Sequence, residues 1–461
     1  MKILKFGGSS IATPERVHAV LDLVIAEGAV NPPAVVVSAF GGVTNQLIQM
    51  IDLAGAADDQ YTLMFDAFVE KHEDMIAALT HDKRQADLRE KIQKYTSRLS
   101  EILRGVYLVR HVAPKTNSQI LSYGERLSAR IISEGLRERS VEACFVDARL
   151  SIVTDDNYAA GVVDFNLTSQ NIQKQFGSIK GTAIITGFVA ANTQGETTLL
   201  GRSGSDYTAA IFGATLKVDE IEIWTDVDGI MTANPSQVPA AQSIPAMTYK
   251  DAMEMSHFGA KVIFPPTIRP AMELGIPIWI KNSFKPTFPG TLINQDAQDE
   301  SYRITGISSL DAISLIRIQG SGMIGKTGLT GRIFQAMANS NVGVMLISLA
   351  SSEQSLCFAV EPTAAPIAKS ALEDEFKFEL QAKHIASIMI EDELCIVAVV
   401  GENMRHTPGI AGKVFNALGE MEVNVVAIAQ GSSERNISIV VAKEDEVKVM
   451  QKLHTTFFGS I

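Results

Sequence analysis

Two short apolar runs, each ending at a pair of glycines and each passing straight into a helical pattern, restrict the fold of this chain most. The first is Ile3-Leu4-Lys5-Phe6-Gly7-Gly8-Ser9-Ser10-Ile11, followed by Thr13-Pro14 as an N-cap and first-turn pair. The second is Ala34-Val35-Val36-Val37-Ser38-Ala39, then Phe40-Gly41-Gly42, then Val43-Thr44-Asn45-Gln46-Leu47. Two such turns predict a parallel sheet whose strand ends line one crevice. Glycine lacks a Cβ, so its backbone can come close to a ligand. With Lys5 adding a full charge, the first turn reads as an anion cradle. A tight strand-to-helix turn with a surface lysine is the plainer alternative for the same residues.

At 461 residues the chain is long for one core, so two to four domains are expected. The net charge of −12 argues against nucleic acid or an anionic membrane as the main partner. Cys144, Cys357 and Cys395 are too few and too scattered for a disulfide framework or a metal cage, and each reads as a small hydrophobe. No signal segment precedes the first strand and no apolar run reaches ~18 residues, so a cytoplasmic protein is expected.

Residues 61–106 carry two helical stripes, Phe65, Phe68, His72, Ile76 and Leu79, then Ile92, Tyr95, Leu99, Ile102 and Val106. His72 reads as a packed core histidine. Glu125 opens a helix after Ser122-Tyr123-Gly124, where a carboxylate suits the helix dipole and can also hold a substrate ammonium. Strands follow at Ala143–Val146 and Thr182–Thr186. Asp155-Asp156 has no third carboxylate beside it and reads as a solvated turn. The loop Leu200-Gly201-Arg202-Ser203-Gly204-Ser205-Asp206-Tyr207-Thr208 offers a guanidinium, two hydroxyls and a carboxylate before the next helix. A strand then ends in Trp224-Thr225-Asp226-Val227-Asp228-Gly229, which lacks the further ligands of a calcium loop, and Phe258-Gly259-Ala260-Lys261 brings a second lysine.

In this order the blocks around Lys5, Ser38–Asn45, Ser122–Glu125, Leu200–Thr208, Trp224–Gly229 and Phe258–Lys261 resemble the aspartokinases, of the amino-acid kinase family. The likeness is greatest to the kinase half of the aspartokinase–homoserine dehydrogenases. It implies an α/β/α sandwich with a mostly parallel sheet over residues 1–300, and transfer of the ATP γ-phosphoryl to the β-carboxylate of L-aspartate. It also implies roles. Lys5, Gly7, Gly8, Ser9, Thr225, Asp226 and Lys261 would border ATP. Ser38, Thr44, Glu125, Arg202 and Ser205 would hold aspartate, with Asp206 placing Lys5. No protein metal cage is implied; Mg²⁺ would ride on phosphates and water. Two departures stand out. Asn234-Pro235-Ser236 replaces the family's Asp-Pro-Arg, which removes an arginine from the nucleotide site, and Phe264 replaces a histidine, with an effect expected on packing only.

The chemistry is consistent with these residues. An aspartate side chain, with a pKa near ~3.9, is already a nucleophile at neutral pH. The barrier is charge crowding against a polyanion, so positioning and cations must carry catalysis.

From Leu329 and again from Ile410 the chain repeats itself at an offset of 81 residues, matching Gly331 with Gly412, Phe334 with Phe415 and Ser351-Ser352-Glu353 with Ser432-Ser433-Glu434. This resembles tandem ACT domains, here placed at 311–385 and 386–461, each βαββαβ, with an extra strand near Ile304–Ser309 pairing with them. ACT units bind amino-acid effectors and pair edge to edge, so a homodimer or dimer of dimers and a threonine or lysine effector are implied. Gly325, Val344, Ser351, Glu353 and Gln430 are the candidate effector residues. Gly320-Ser321-Gly322-Met323-Ile324-Gly325-Lys326-Thr327 also satisfies the P-loop pattern. The second copy lacks Gly-Lys-Thr at the equivalent place, so the fold does not need it and the P-loop reading is disfavoured. The remaining alternative is a catalytically silent amino-acid-binding regulator, for which Asn234 and Ser236 are the only foothold.

Overall fold

An unbroken apolar run such as Ala34–Val37 suits a strand covered on both faces, and all four of its residues are buried. The computed structural model describes residues 1–29, 31–257, 263–296, 304–320, 328–349, 355–404, 407–431 and 433–459. The chain divides into two compact units: Met1–Ile230 with Pro245–Tyr249 and Ile263–Ala297, and Met231–Ile244 with Lys250–Val262 and Gln298–Ile461.

The strands of the first unit are β1 (Lys2–Phe6), β2 (Ala34–Val37), β3 (Ala143–Val146), β4 (Val153–Thr154), β5 (Thr182–Thr186), β6 (Val189–Asn192), β7 (Thr197–Leu199), β8 (Glu220–Thr225), β9 (Ala246–Thr248), β10 (Ile278–Asn282) and β11 (Thr291–Asn294). Eight of them form one sheet in the order β3-β5-β2-β1-β8-β10-β11-β9, and β4, β6 and β7 form a small separate one. Within the large sheet only the β10–β11 pairing is antiparallel. The helices run α1 (Pro14–Glu27), α2 (Val43–Gly55), α3 (Gln60–Leu79), α4 (Asp82–Val109), α5 (Pro114–Leu121), α6 (Tyr123–Glu138), α7 (Phe165–Phe176), α8 (Gly204–Leu216), α9 (Tyr249–His257) and α10 (Pro265–Glu273). Helices α1, α3 and α6 pack together, as do α7, α8 and α10, which gives the sandwich. The start of α1 is as expected: the Thr13 side chain accepts from the Arg16 amide, with Pro14 at the first position. Strand order reverses around β1, the place where such sheets open a crevice at their carboxyl ends.

The second unit carries β12 (Gly306–Gln319), α11 (Leu329–Asn339), β13 (Leu346–Leu349), β14 (Ser355–Val360), α12 (Ala365–Glu375), α13 (Lys377–Gln381), β15 (Ser387–Val400), α14 (Ile410–Glu420), β16 (Ala427–Ala429), β17 (Asn436–Ala442) and α15 (Glu446–Phe458). One antiparallel sheet in the order β13-β14-β12-β15-β17-β16 joins both repeats. The long strands β12 and β15 are shared. Ser314–Gln319 pairs with β14, whereas Gly306–Leu310 pairs with Val400–Ile396, so the second repeat is closed by a strand that precedes the first. The strand expected near Ile304–Ser309 therefore has a structural role that repeat matching does not reveal. Each repeat has its own core, around Ile316, Phe358 and Leu372 in the first and Val399, Ile439 and Leu453 in the second. Ala233 and Val238 belong to the second of these cores. On the second helix of each repeat Ile367 and Val447 are exposed, and Ala368 and Val449 turn into the cores.

Candidate active site

The chemical groups of the candidate site sit at or just past a strand end or on the first turn of a helix. Lys5 lies near the end of β1 and Asp206 in the first turn of α8. Lys5 Nζ stands 2.5 Å from Asp206 Oδ1, and both side chains are about nine-tenths buried. An ion pair so enclosed holds the lysine in one place far better than a surface pair would. The two glycine turns pack on each other: a Cβ at Gly41 would meet Ala12 Cβ at 2.5 Å and Gly8 O at 3.0 Å. Gly42 adopts φ +83° as the N-cap of α2, a conformation that glycine takes without strain.

A cleft of about 480 Å³ is lined by Lys5, Gly7, Gly8 and Ser9 of the first turn, and by Ser38 through Gly42 with Thr44 of the second. Its other walls are Glu125, Phe188 and the loop from Gly201 to Asp206. Lys5, Ser38, Thr44, Glu125, Arg202, Ser205 and Asp206 are thus brought together. Ser38 Oγ donates to Ser205 Oγ at 3.0 Å, and Ser128 Oγ donates to the Ser38 carbonyl at 2.6 Å. Glu125 is only 3% exposed, and among the described residues its Oε2 has no partner. Burial pushes its carboxyl up to about 8, against the pull of its own amide and that of Ala39. Arg202 is exposed, and its guanidinium lies 5.6 Å from the centre of the Phe264 ring. Phe264 therefore does more than fill space: it faces the cleft's exposed cation.

Thr225 and Asp226 do not line this cleft. Thr225 ends β8 and Asp226 follows it; β8 is the neighbour of β1, and there the Gly7 amide donates to Trp224 O at 3.2 Å. Thr225 Oγ1 donates to Asp226 Oδ1 at 3.1 Å. Lys261, Gly325, Ser351 and Glu353 lie outside the described residues. Of the remaining effector candidates, Val344 is half-buried beside the first repeat's core and Gln430 is exposed just past β16. Asn234 and Ser236 satisfy one another: Asn234 Oδ1 accepts from the Ser236 amide at 3.1 Å and its hydroxyl at 2.9 Å.

Other readings hold. His72 is buried, its Nδ1 lies 2.7 Å from Phe68 O, and burial pushes its pKa down to about 4. The Asp155 carboxylate accepts the amides of Asn157 and Val162, as a turn residue does. Cys395 is buried, whereas Cys144 and Cys357 are half-buried. Sequence reasoning did not single out Phe188, whose φ of +68° is unusual for an aromatic residue; Ser203, one of the two hydroxyls of the Leu200–Thr208 loop, also takes a left-handed backbone at φ +54°. Both line the cleft, and strain of this kind gathers at functional sites. Among the described residues no helix is long and apolar enough to cross a membrane.

A mostly parallel sheet, two glycine turns and a buried lysine–aspartate pair here frame one half-enclosed cleft whose cations and free amides suit a small anion. Residues 1–282 match the amino acid kinase family, to which the chain belongs, and residues 316–376 and 397–457 match ACT domains. The chain is 34% identical, over its whole length, to a bifunctional aspartokinase/homoserine dehydrogenase of Haemophilus influenzae, of which it spans 57%. It is similar to E. coli aspartokinase III in complex with aspartate and ADP (R-state), at 27% identity and a TM-score of 0.85, covering 99% of this chain and 100% of that one. The T-state of that enzyme, with lysine and aspartate, matches at 29% identity and a TM-score of 0.79, covering 99% of each chain.

Proposed function

We propose that this chain is an ATP-dependent aspartate kinase, which phosphorylates the β-carboxylate of L-aspartate to 4-phospho-L-aspartate at the head of lysine, threonine and methionine synthesis. The observation that supports this reading most is the convergence of Lys5, Asp206, Glu125, Arg202 and both glycine turns on one cleft of about 480 Å³. The likeness to an enzyme solved with aspartate and ADP points the same way.

Each group has a task in such a reaction. Glu125 receives the substrate ammonium and Arg202 its α-carboxylate, while Ser38, Thr44 and Ser205 supply hydroxyls. The aspartate side chain then faces the terminal phosphoryl without needing a general base. Lys5, kept in place by Asp206, offsets the charge that builds on the phosphoryl oxygens. Amides of the two glycine turns add to it. Gly7, Gly8, Ser9 and Lys261 border the phosphates, and Thr225 and Asp226 border the rest of the nucleotide.

Among the described residues no three His, Cys, Asp or Glu side chains group as a metal cage, and Asp206 is already paired with Lys5. That donor set fits Mg²⁺ carried by the nucleotide's phosphates and water, where the ion neutralises phosphate charge.

Residues 1–300 would form the catalytic part, and the repeats at 311–385 and 386–461 the regulatory part. Lysine or threonine would bind the repeats near Gly325, Val344, Ser351, Glu353 and Gln430. The terminal strands β13 and β16, which approach one another, carry exposed Ile347, Leu349 and Ile428, which suits a homodimer or dimer of dimers through the ACT sheet. A cytoplasmic setting agrees with this chemistry. The test is ADP release with aspartate, glutamate and acetylglutamate as acceptors, with and without lysine and threonine. Turnover with aspartate alone is expected. Its absence, or a preference for another acceptor, overturns the reading.

A further inference from the structure

Helix α3 belongs to an excursion beside the sheet, yet it reaches the second glycine turn at two successive residues. Lys71 Nζ donates to the Gly41 carbonyl at 2.5 Å. The ring of His72, neutral and buried, lies 5.6 Å from that of Phe40. Lys71 is not part of the cleft wall, whereas Phe40, Gly41 and Gly42 are. Its ammonium therefore grips the turn from behind.

The grip has a direct geometric consequence. A trans peptide is planar, so the carbonyl of Gly41 and the N–H of Gly42 point in opposite directions. Holding that carbonyl toward Lys71 turns the Gly42 amide away from α3. Among the described residues no acceptor takes the Gly42 amide. Gly42 is also the N-cap of α2, which has no side-chain cap; the Val43 amide donates to the Phe40 carbonyl at 2.9 Å, while among the described residues the Thr44 and Asn45 amides have no acceptor and stand as donors at the helix's positive end. A carbonyl free to rotate would let this peptide flip, because glycines flank the bond on both sides. A charged donor to that oxygen makes the flip costly.

We propose that Lys71 is a positioning residue for phosphoryl transfer: through the Gly41 carbonyl it keeps the Gly42 amide and the start of α2 aimed at the negative charge that develops on the transferring group. This rests on the aspartate-kinase reading. Pre-aimed amides act mainly in the transition state, so their loss lowers kcat rather than raising KM.

The experiment compares wild type, Lys71→Met and Lys71→Arg in ADP release with saturation in aspartate and in MgATP, beside thermal melts. Wild type without aspartate-dependent turnover would sink the kinase reading and this proposal with it, whereas the outcomes below, with an active wild type, bear on Lys71 alone. With an active wild type, Lys71→Met is expected to lose about 10- to 100-fold in kcat, with both KM values within about 3-fold, and Lys71→Arg to stay within about 3-fold of wild type. Unchanged kcat in Lys71→Met overturns the proposal. So does a change confined to KM, or an arginine variant as impaired as the methionine one. Should Lys71→Met melt far below wild type, Lys71→Gln replaces it under the same criteria.

Discussion

At the cleft, a Cβ on Gly41 would strike Ala12 and Gly8 O, and the loops so packed present Lys5, Glu125 and Asp206 to one space. At the end of β12, a Cβ on Gly320 would meet the His384 carbonyl at 2.2 Å; at the end of β15, one on Gly401 would meet Ile304 Cα at 2.8 Å. Both regions read as strand, glycine, helix. In the repeat, Gly328 and Gly409 even start their helices with the same left-handed turn, at φ +89° and +92°. The glycines of the repeat thus let one backbone cross another, twice, at equivalent places. Those of the cleft let two turns meet where charged side chains arrive from other elements. A local pattern is shared; the convergence of charge from α6, α8 and β1 belongs to the cleft.

The largest effect expected from this contrast is at Lys5. Lys5→Met should lower kcat by about 10²- to 10³-fold, the scale of losing one main electrostatic group, with a small change in KM for aspartate. Steady-state ADP release measures it, and normal turnover would remove the cleft from the reaction.

Glu125 comes next. Glu125→Gln should raise KM for aspartate by roughly 10- to 100-fold, since a charge partner is lost. The same variant has a second readout. With its carboxyl up at about 8, folded Glu125 keeps a proton that the unfolded chain gives up near its ordinary value, so its contribution to stability falls as pH rises through that window. The ligand-free glutamine variant should therefore melt above wild type at pH 8 and near it at pH 4. Conversely, an ammonium substrate favours the ionised carboxylate, so aspartate binding below pH 8 should release a proton, which calorimetry in two buffers detects.

Gly320→Ala probes the other side of the contrast. Crowding against His384 O should cost about 1–3 kcal/mol in denaturant unfolding, while kcat without effector stays near wild type. Loss of catalysis at unchanged stability would erase the distinction. Phe264→Ala should weaken aspartate binding about 2- to 5-fold, in keeping with a cation–π contact near the surface. Smallest of all, Lys326→Ala should leave catalysis unchanged and alter at most the response to lysine or threonine; a dead enzyme would restore the P-loop reading.

Much of this molecule is readable along the chain because the signals are short-range. Apolar runs of four or five residues mark β2, β3 and β5, and Thr13-Pro14 marks the start of α1. The residue types around Lys5, Glu125 and Arg202 point to an anionic substrate. Repeat matching at 81 residues finds both ACT units. Less is visible where a residue works through a backbone atom distant in sequence. Nothing near Lys71 signals that it will hold the Gly41 carbonyl, and nothing near Phe264 that it will face Arg202.

Local periodicity, turn chemistry and the order of charged blocks are properties of neighbouring residues, so the primary structure alone establishes strands, helices, glycine turns and the kind of ligand they suit. Which strand closes which repeat is another matter. Gly306–Leu310 completes the second unit because hydrogen-bond partners and core volume are available there, and that choice involves residues some 90 positions away. The Lys5–Asp206 pair and the raised carboxyl of Glu125 likewise exist only once burial removes water, since both are consequences of a low-dielectric cleft that no stretch of sequence possesses by itself.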